Sequence, residues 1–194
     1  RMRAVLAEET EIAASIAALG STLRYNSSID MPSVTLEREI SVLTDYVRIQ
    51  NLLHNDRIRF TVDCDQATRG AEIPSFIIQP IVENSIVHGL RGNGRRLEVV
   101  LSARRVGASL HITVEDDGRG MPARRRSTVS AALHDGASSW NPRRGIGLSN
   151  INHRLKLRFG RGYRFELGQR KNGGTLVSLH LPLTKAPKTA KARR

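Results

Sequence analysis

Apolar residues recur every three to four positions through "AVLAEETEIAASIAALGSTLRY" (Ala4 to Tyr25), which predicts an amphipathic helix that "SSIDMPS" then breaks. A second helical pattern runs from Leu36 to Leu53, with Thr35 as N-cap and Leu36, Ile40, Leu43, Val47 and Ile49 or Gln50 along one side. Two helices before any strand signal read as a hairpin. The period changes after Asn55. "RIRFTVD" alternates like a half-buried strand, and "SFIIQPIVENSIVHGL" returns to helical spacing, with Pro80 in its first turns where proline is tolerated. "RLEVVLSARR" and "SLHITVEDD" form a hairpin through Val106-Gly107-Ala108.

The segment Pro122 to Arg144 is polar and poorly periodic and reads as a mobile loop. "GLSNINHRLKLRF" is a further amphipathic helix. "YRFELGQR" and "TLVSLHLPL" are two last strands joined through Asn172-Gly173-Gly174, and the tail after Thr184 reads as disordered. The pattern predicts an α+β fold: a helical piece over residues 1–56, a domain over 57–184 of about five strands with three helices on one face, and a basic tail over 185–194.

Composition narrows the classes. With 39% hydrophobic and 4% aromatic residues, Leu, Ile and Val must build the core. No apolar run approaches the ~20 residues of a membrane span, and no signal-peptide pattern opens the chain. A single cysteine, Cys64, excludes an internal disulfide and points to a reducing compartment. The start on Arg1 suggests a piece of something longer. A net charge of +13 allows an anionic partner, nucleic acid or a phosphorylated ligand. The cations are scattered, with no basic helical stripe and no basic, aromatic-interleaved strand, which disfavours nucleic acid.

Three segments carry candidate chemistry: "ENSIVHG" on a helix, "DDGRG" after a strand, and "RRGIGL" opening a helix. Their glycines permit positive φ and close backbone approach, as phosphate or a purine ring requires, although glycine pairs also end ordinary strands. The helix after "GIGL" would aim free N–H groups at an anion.

In order, the segments resemble the nucleotide-binding boxes of histidine kinases, gyrase-type ATPases, Hsp90-type chaperones and mismatch-repair ATPases: an Asn-bearing helix, Asp-x-Gly-x-Gly, Gly-x-Gly, then Gly-Thr in the last hairpin. Within that superfamily, "QPIVENSIVHG" with "GIGLSNINHRL", and upstream "VTLEREISVLTDYVRIQNL", resemble LytS-type sensor histidine kinases over roughly residues 20 to 183. The resemblance implies a two-layer Bergerat-type ATP-binding fold behind an N-terminal helical hairpin. It assigns Asp116 to the adenine amino group, Gly118 and Gly120 to the turn under the ring, and Thr175, after Gly174, to support of Asp116 through water. Asn84 would hold Mg²⁺ and His88 would lie near sugar and phosphates. Gly145, Gly147 and the N–H groups from Leu148 onward would hold the β- and γ-phosphates, with Arg143, Arg144 and Arg154 as counter-charges and 122–144 as the lid. Glu83 is open between a catalytic role and a structural contact. Asp117 reads as a solvent-facing turn residue, and His54, His111, His134, His153 and His180 as incidental.

The departures matter equally. Val87 stands where related kinases carry Lys or Arg. Pro80 stands where gyrase-type ATPases place the Glu that activates water, so a poor hydrolase is expected. No "PHFLFN"-like segment with a phosphoacceptor histidine occurs in the chain. The expectation is therefore the ATP- and Mg²⁺-binding part of a cytoplasmic kinase portion, membrane-anchored upstream, dimeric when intact, and partnered with a response-regulator receiver domain. An anti-sigma-type serine kinase or ATP-driven clamp of the same fold, and a basic nucleic-acid-binding module, are the competing readings.

Overall fold

A computed structural model describes residues 33–90, 94–135 and 146–183. These all belong to one compact unit that begins at Ser33. The expected first helix, the end of the loop before Ile146 and the basic tail lie outside the described residues.

Strand β1 (Ser33–Thr35) passes directly into α1 (Leu36–Leu53), where the Thr35 side chain accepts the Arg38 N–H at 3.3 Å, the predicted cap. Leu36, Ile40, Leu43 and Val47 are buried as the spacing requires, whereas Ile49 is 57% exposed. The next elements are β2 (Ile58–Cys64), the single turn α2 (Gln66–Arg69), β3 (Glu72–Pro74) and α3 (Gln79–Gly89). Phe76, with φ of 56°, delays the start of α3 to Gln79, so Pro80 falls in the first turn where no N–H is needed. There follow β4 (Leu97–Val106), β5 (Ser109–Asp116), α4 (Ala123–Asp135), α5 (Ile146–Phe159), β6 (Arg164–Gln169) and β7 (Thr175–Pro182).

The five long strands form one mixed sheet in the order β2-β4-β5-β7-β6, and β1 pairs with β3 in a separate two-stranded sheet that the sequence pattern did not signal. β2 runs parallel to β4; the other pairs are antiparallel. Alternation does the layering. Leu97, Val99, Leu101, Leu110, Ile112, Val114, Val177, Leu179 and Phe165 turn to one face, where they form one core with Leu43, Ile81, Ile86, Ile151 and Leu155 from the helices. The other face carries Arg104, His111, Glu115 and His180, the two histidines stacked with ring centroids 4.0 Å apart.

Two features differ from the sequence reading. Leu36–Leu53, grouped by pattern with residues 1–56, shares its core with the sheet. The Asn51 side chain also exchanges two hydrogen bonds of 2.8 Å with the Ile58 backbone, fixing α1 against β2. Ala123–Asp135, read as mobile loop, is helical. It contains neither Gly nor Pro, and Val129 and Leu133, one turn apart, are buried against the body. No described helix is long and apolar enough to cross a membrane.

Candidate nucleotide site

The candidate site lies between α3 and the ends of β5 and β7. Helical spacing puts Ile81, Asn84, Ser85 and His88 on one side of α3, bordering a cavity of about 560 Å³. Asp116, Gly120, Met121 and Pro122 line it from the end of β5, Thr175, Val177 and Leu167 from the last hairpin, Arg125 and Val129 from α4, and Leu148 from α5. The walls are mostly apolar. Asp116 is the one acid among the described lining residues, and Arg119, Arg125 and His88 bring the basic groups.

Asp116 is 3% exposed. Its Oδ1 accepts the backbone N–H of Gly118 at 3.0 Å and of Thr175 at 3.2 Å. Burial raises its pKa above the usual carboxylate value; hydrogen bonds from Ser85, Gly118 and Thr175 oppose the shift. Thr175 thus holds Asp116 directly, where a water-mediated contact was expected. An acceptor at the floor of an apolar slot suits an exocyclic amine on a flat ring, which fits adenine.

The glycines explain how the backbones come so close. A Cβ on Gly118 would stand 2.7 Å from the Gly89 Cα, so the C-terminal end of α3 rests on the turn after β5. Gly120 and Gly174 have φ of 70° and 93°, and a side chain on Gly174 would overlap the Asp116 carbonyl. A Cβ on Gly147 would come 3.3 Å from the Asn84 amide nitrogen, which sets the start of α5 beside Asn84.

Asn84, His88, Asp116, Gly120, Leu148 and Thr175 therefore border one cavity, with Gly118 and Gly147 in its supporting backbone. Arg143, Arg144 and Gly145 lie outside the described residues. Arg154 is half-buried and does not line the cavity; its positive charge acts on Glu39. Glu83 is off the wall and accepts the Gln79 side-chain amide at 2.8 Å. No group of three metal-ligating His, Cys, Asp or Glu side chains occurs among the described residues. A single amide oxygen at Asn84 fits Mg²⁺, which keeps waters and shares phosphate oxygens and needs no protein cage.

Asp117 departs from the solvent-facing reading. Its Oδ1 accepts the Glu98 N–H at 2.7 Å and its own N–H donates to the Glu98 carbonyl at 3.1 Å, so it extends the β4–β5 ladder by one rung. Ser85, Gly89 and Val129 also border the cavity without having been singled out; the first two fall within "ENSIVHG", and Val129 shows only in its spacing to Leu133.

Comparison with known proteins agrees with this fold. Residues 71–185 match the family described as histidine kinase-, DNA gyrase B-, and HSP90-like ATPase. Over 175 residues the chain is 29% identical to sensor histidine kinase YesM of Bacillus subtilis and 30% identical to sensor histidine kinase YpdA of Escherichia coli. Each alignment covers 90% of this chain but only 28% and 29% of the relatives, so the chain spans less than a third of their length. The fold is similar to the nucleotide-free catalytic domain of histidine kinase ThkA, with TM-score 0.59 at 15% identity, covering 80% of this chain and 99% of that one. A mycobacterial sensor histidine kinase, MprB, gives TM-score 0.55 over 78% of this chain and 96% of that one. With the family's profile matched from the residue before β3 to just past the end of β7, the chain belongs to the histidine kinase-, DNA gyrase B- and HSP90-like ATPases.

Proposed function

We propose that this chain is the ATP-binding catalytic portion of a LytS-type sensor histidine kinase. The observation that carries the reading is one cavity bordered by buried Asp116 and Thr175 and by Asn84, His88 and Leu148, with the start of α5 set beside Asn84. A buried acceptor suits a nucleobase, and a helix start suits phosphates. The names of the relatives, sensor histidine kinases, support the reaction class.

In this reading Asp116 accepts the adenine amino hydrogen while Ser85 and Thr175 hold its carboxylate in place. Apolar Ile81, Leu148 and Val177 exclude water from the ring. Asn84 would hold Mg²⁺, which would neutralise phosphate charge, and His88 would face the sugar and phosphates. Gly145, Gly147 and the backbone N–H groups after them, with Arg143 and Arg144, take the β- and γ-phosphates. The γ-phosphoryl passes to a histidine nitrogen on a segment not in this chain, ADP leaves, and a response-regulator aspartate receives the group. Positioning and charge neutralisation carry the chemistry. The intact protein is a homodimer, anchored in the membrane upstream, with this portion in the cytoplasm and the upstream helices as its dimerisation and phosphotransfer region. Glu83, bonded to Gln79, takes the structural of its two readings.

Calorimetry with ATP, with and without Mg²⁺, tests the pocket. Asp116→Asn should abolish most binding of any adenine nucleotide, while Asn84→Ala should remove mainly the Mg²⁺-dependent part. Binding unchanged in both variants would refute the assignment. In a longer chain carrying the upstream histidine segment, acid-labile, base-stable label from ATP is expected; label on serine would overturn the reaction class, and salt-sensitive DNA binding indifferent to Mg-ATP would favour the nucleic-acid reading.

A further inference from the structure

Glu39 lies on the inner side of α1 and is 4% exposed, a carboxylate in an otherwise apolar stripe with Leu36, Ile40 and Leu43. Its Oε1 accepts the backbone N–H of Ile78 at 2.9 Å and of Gln79 at 3.4 Å. Its Oε2 is buried without a hydrogen bond. These contacts fall at the first turn of α3, where Ile78 provides no side-chain cap and Pro80 has no N–H. The free donors that every helix start leaves are thus satisfied from another helix, 39 positions earlier in the chain.

The far end of α3 is also fixed, since Gly89 packs on the Gly118 backbone. Asn84 sits between the two stops. Gln79 extends the contact: its backbone N–H meets Glu39, and its side-chain amide donates to Glu83, the residue before Asn84.

We propose that Glu39 is a positioning residue for the nucleotide site: by capping α3 from outside it fixes where that helix begins, and so where Asn84 meets the phosphate end of the nucleotide. This inference rests on the pocket reading above. What the position requires is an acceptor at full reach, and ionisation is secondary. Burial pushes the Glu39 pKa up to about 7 against the opposing Ile78 and Gln79 hydrogen bonds and the Arg154 charge, and a protonated carboxyl keeps an acceptor oxygen.

The test separates reach from charge. Glu39→Gln keeps the length and an acceptor, while Glu39→Asp keeps the charge and withdraws the acceptor by one methylene. Calorimetry is run with Mg-ATP and with ADP in chelator, alongside amide exchange of Ile78 and Gln79 without nucleotide. Glu39→Gln should bind both nucleotides within about twofold of the parent, whereas Glu39→Asp should lose about tenfold for Mg-ATP, little for ADP, and show faster exchange at both amides. Glu39→Ala should follow Glu39→Asp, and if it does not fold the Asp and Gln pair still decides. Equal loss of both nucleotides in Glu39→Asp, or parent-like Mg-ATP binding by it, would overturn the inference. A parent chain that binds no Mg-ATP would sink the pocket reading instead, while the exchange data would still report on the cap.

Discussion

Gly118 and Gly89 meet backbone to backbone, close enough that a single added methyl on Gly118 would stand 2.7 Å from the Gly89 Cα. Helix α3 and the turn after β5 are therefore in register only while both residues lack side chains. Gly118→Ala should push α3 away from Asp116, cost about 1–3 kcal/mol of stability as overpacking does, and weaken ATP binding more than the stability loss accounts for. Denaturant unfolding and calorimetry on the same protein check this; unchanged ATP affinity would show that the two backbones are free to separate.

Ser85 shares the Asp116 carboxylate with two backbone N–H groups. Its hydroxyl opposes the upward shift that burial causes, so Ser85→Ala should raise the Asp116 pKa further and reduce adenine-nucleotide affinity severalfold, a loss of about 1 kcal/mol. Carboxyl chemical shifts followed against pH give the first quantity and calorimetry the second. A lowered Asp116 pKa in the variant would contradict the arrangement.

Asn152 ties α5 to α4 and to the residue before β6: its amide donates to the Leu133 carbonyl of α4 at 2.9 Å and its oxygen accepts the Tyr163 hydroxyl at 2.7 Å. Asn152→Leu would take the side-chain donor from the Leu133 carbonyl and leave the Tyr163 hydroxyl only the residue-152 backbone carbonyl at 3.2 Å, so a loss of about 1–3 kcal/mol is expected. Faster amide exchange concentrated in α4 is the accompanying signature. Loss spread evenly over the sheet would assign Asn152 to general packing.

Glu39 makes stability depend on pH with a definite sign. Its folded pKa, about 7, lies above the ordinary glutamate value of 4.5, so the folded chain binds more protons than the unfolded one between those values. Its contribution is fully present below about pH 4.5 and is lost as pH rises through 7. The parent minus Glu39→Gln difference in unfolding free energy should therefore fall across that window by roughly 2–4 kcal/mol and stay flat above pH 8. A difference that rises with pH would reverse the assignment of burial as the dominant cause.

The legible parts of the molecule are those whose cause is local. The Thr35 cap, the Pro80 position in α3 and the glycine turns beside Asp116 all follow from residue types in short windows, and each is where the pattern put it. Helix α4 was hidden because, among its described side chains, only the apolar Val129 and Leu133 are buried, which leaves almost no stripe to read. The β1–β3 pair is three residues a strand, below any alternation signal. Glu39 and Ser85 owe their roles to partners far along the chain, and a polar residue in an apolar stripe gives no indication of which helix start or carboxylate it will meet.

The β2–β4 and β5–β7 pairings together decide when the pocket can be completed. β4–β5 and β6–β7 are hairpins between sequence neighbours, but Asp116 meets Thr175, 59 positions on, only when β5 pairs with β7. The segment between β2 and β4 includes α3, so Asn84 arrives only when the parallel pairing closes. A chain holding only its two hairpins would have neither wall of the cavity, and tight nucleotide binding would report that both long-range pairings have been made.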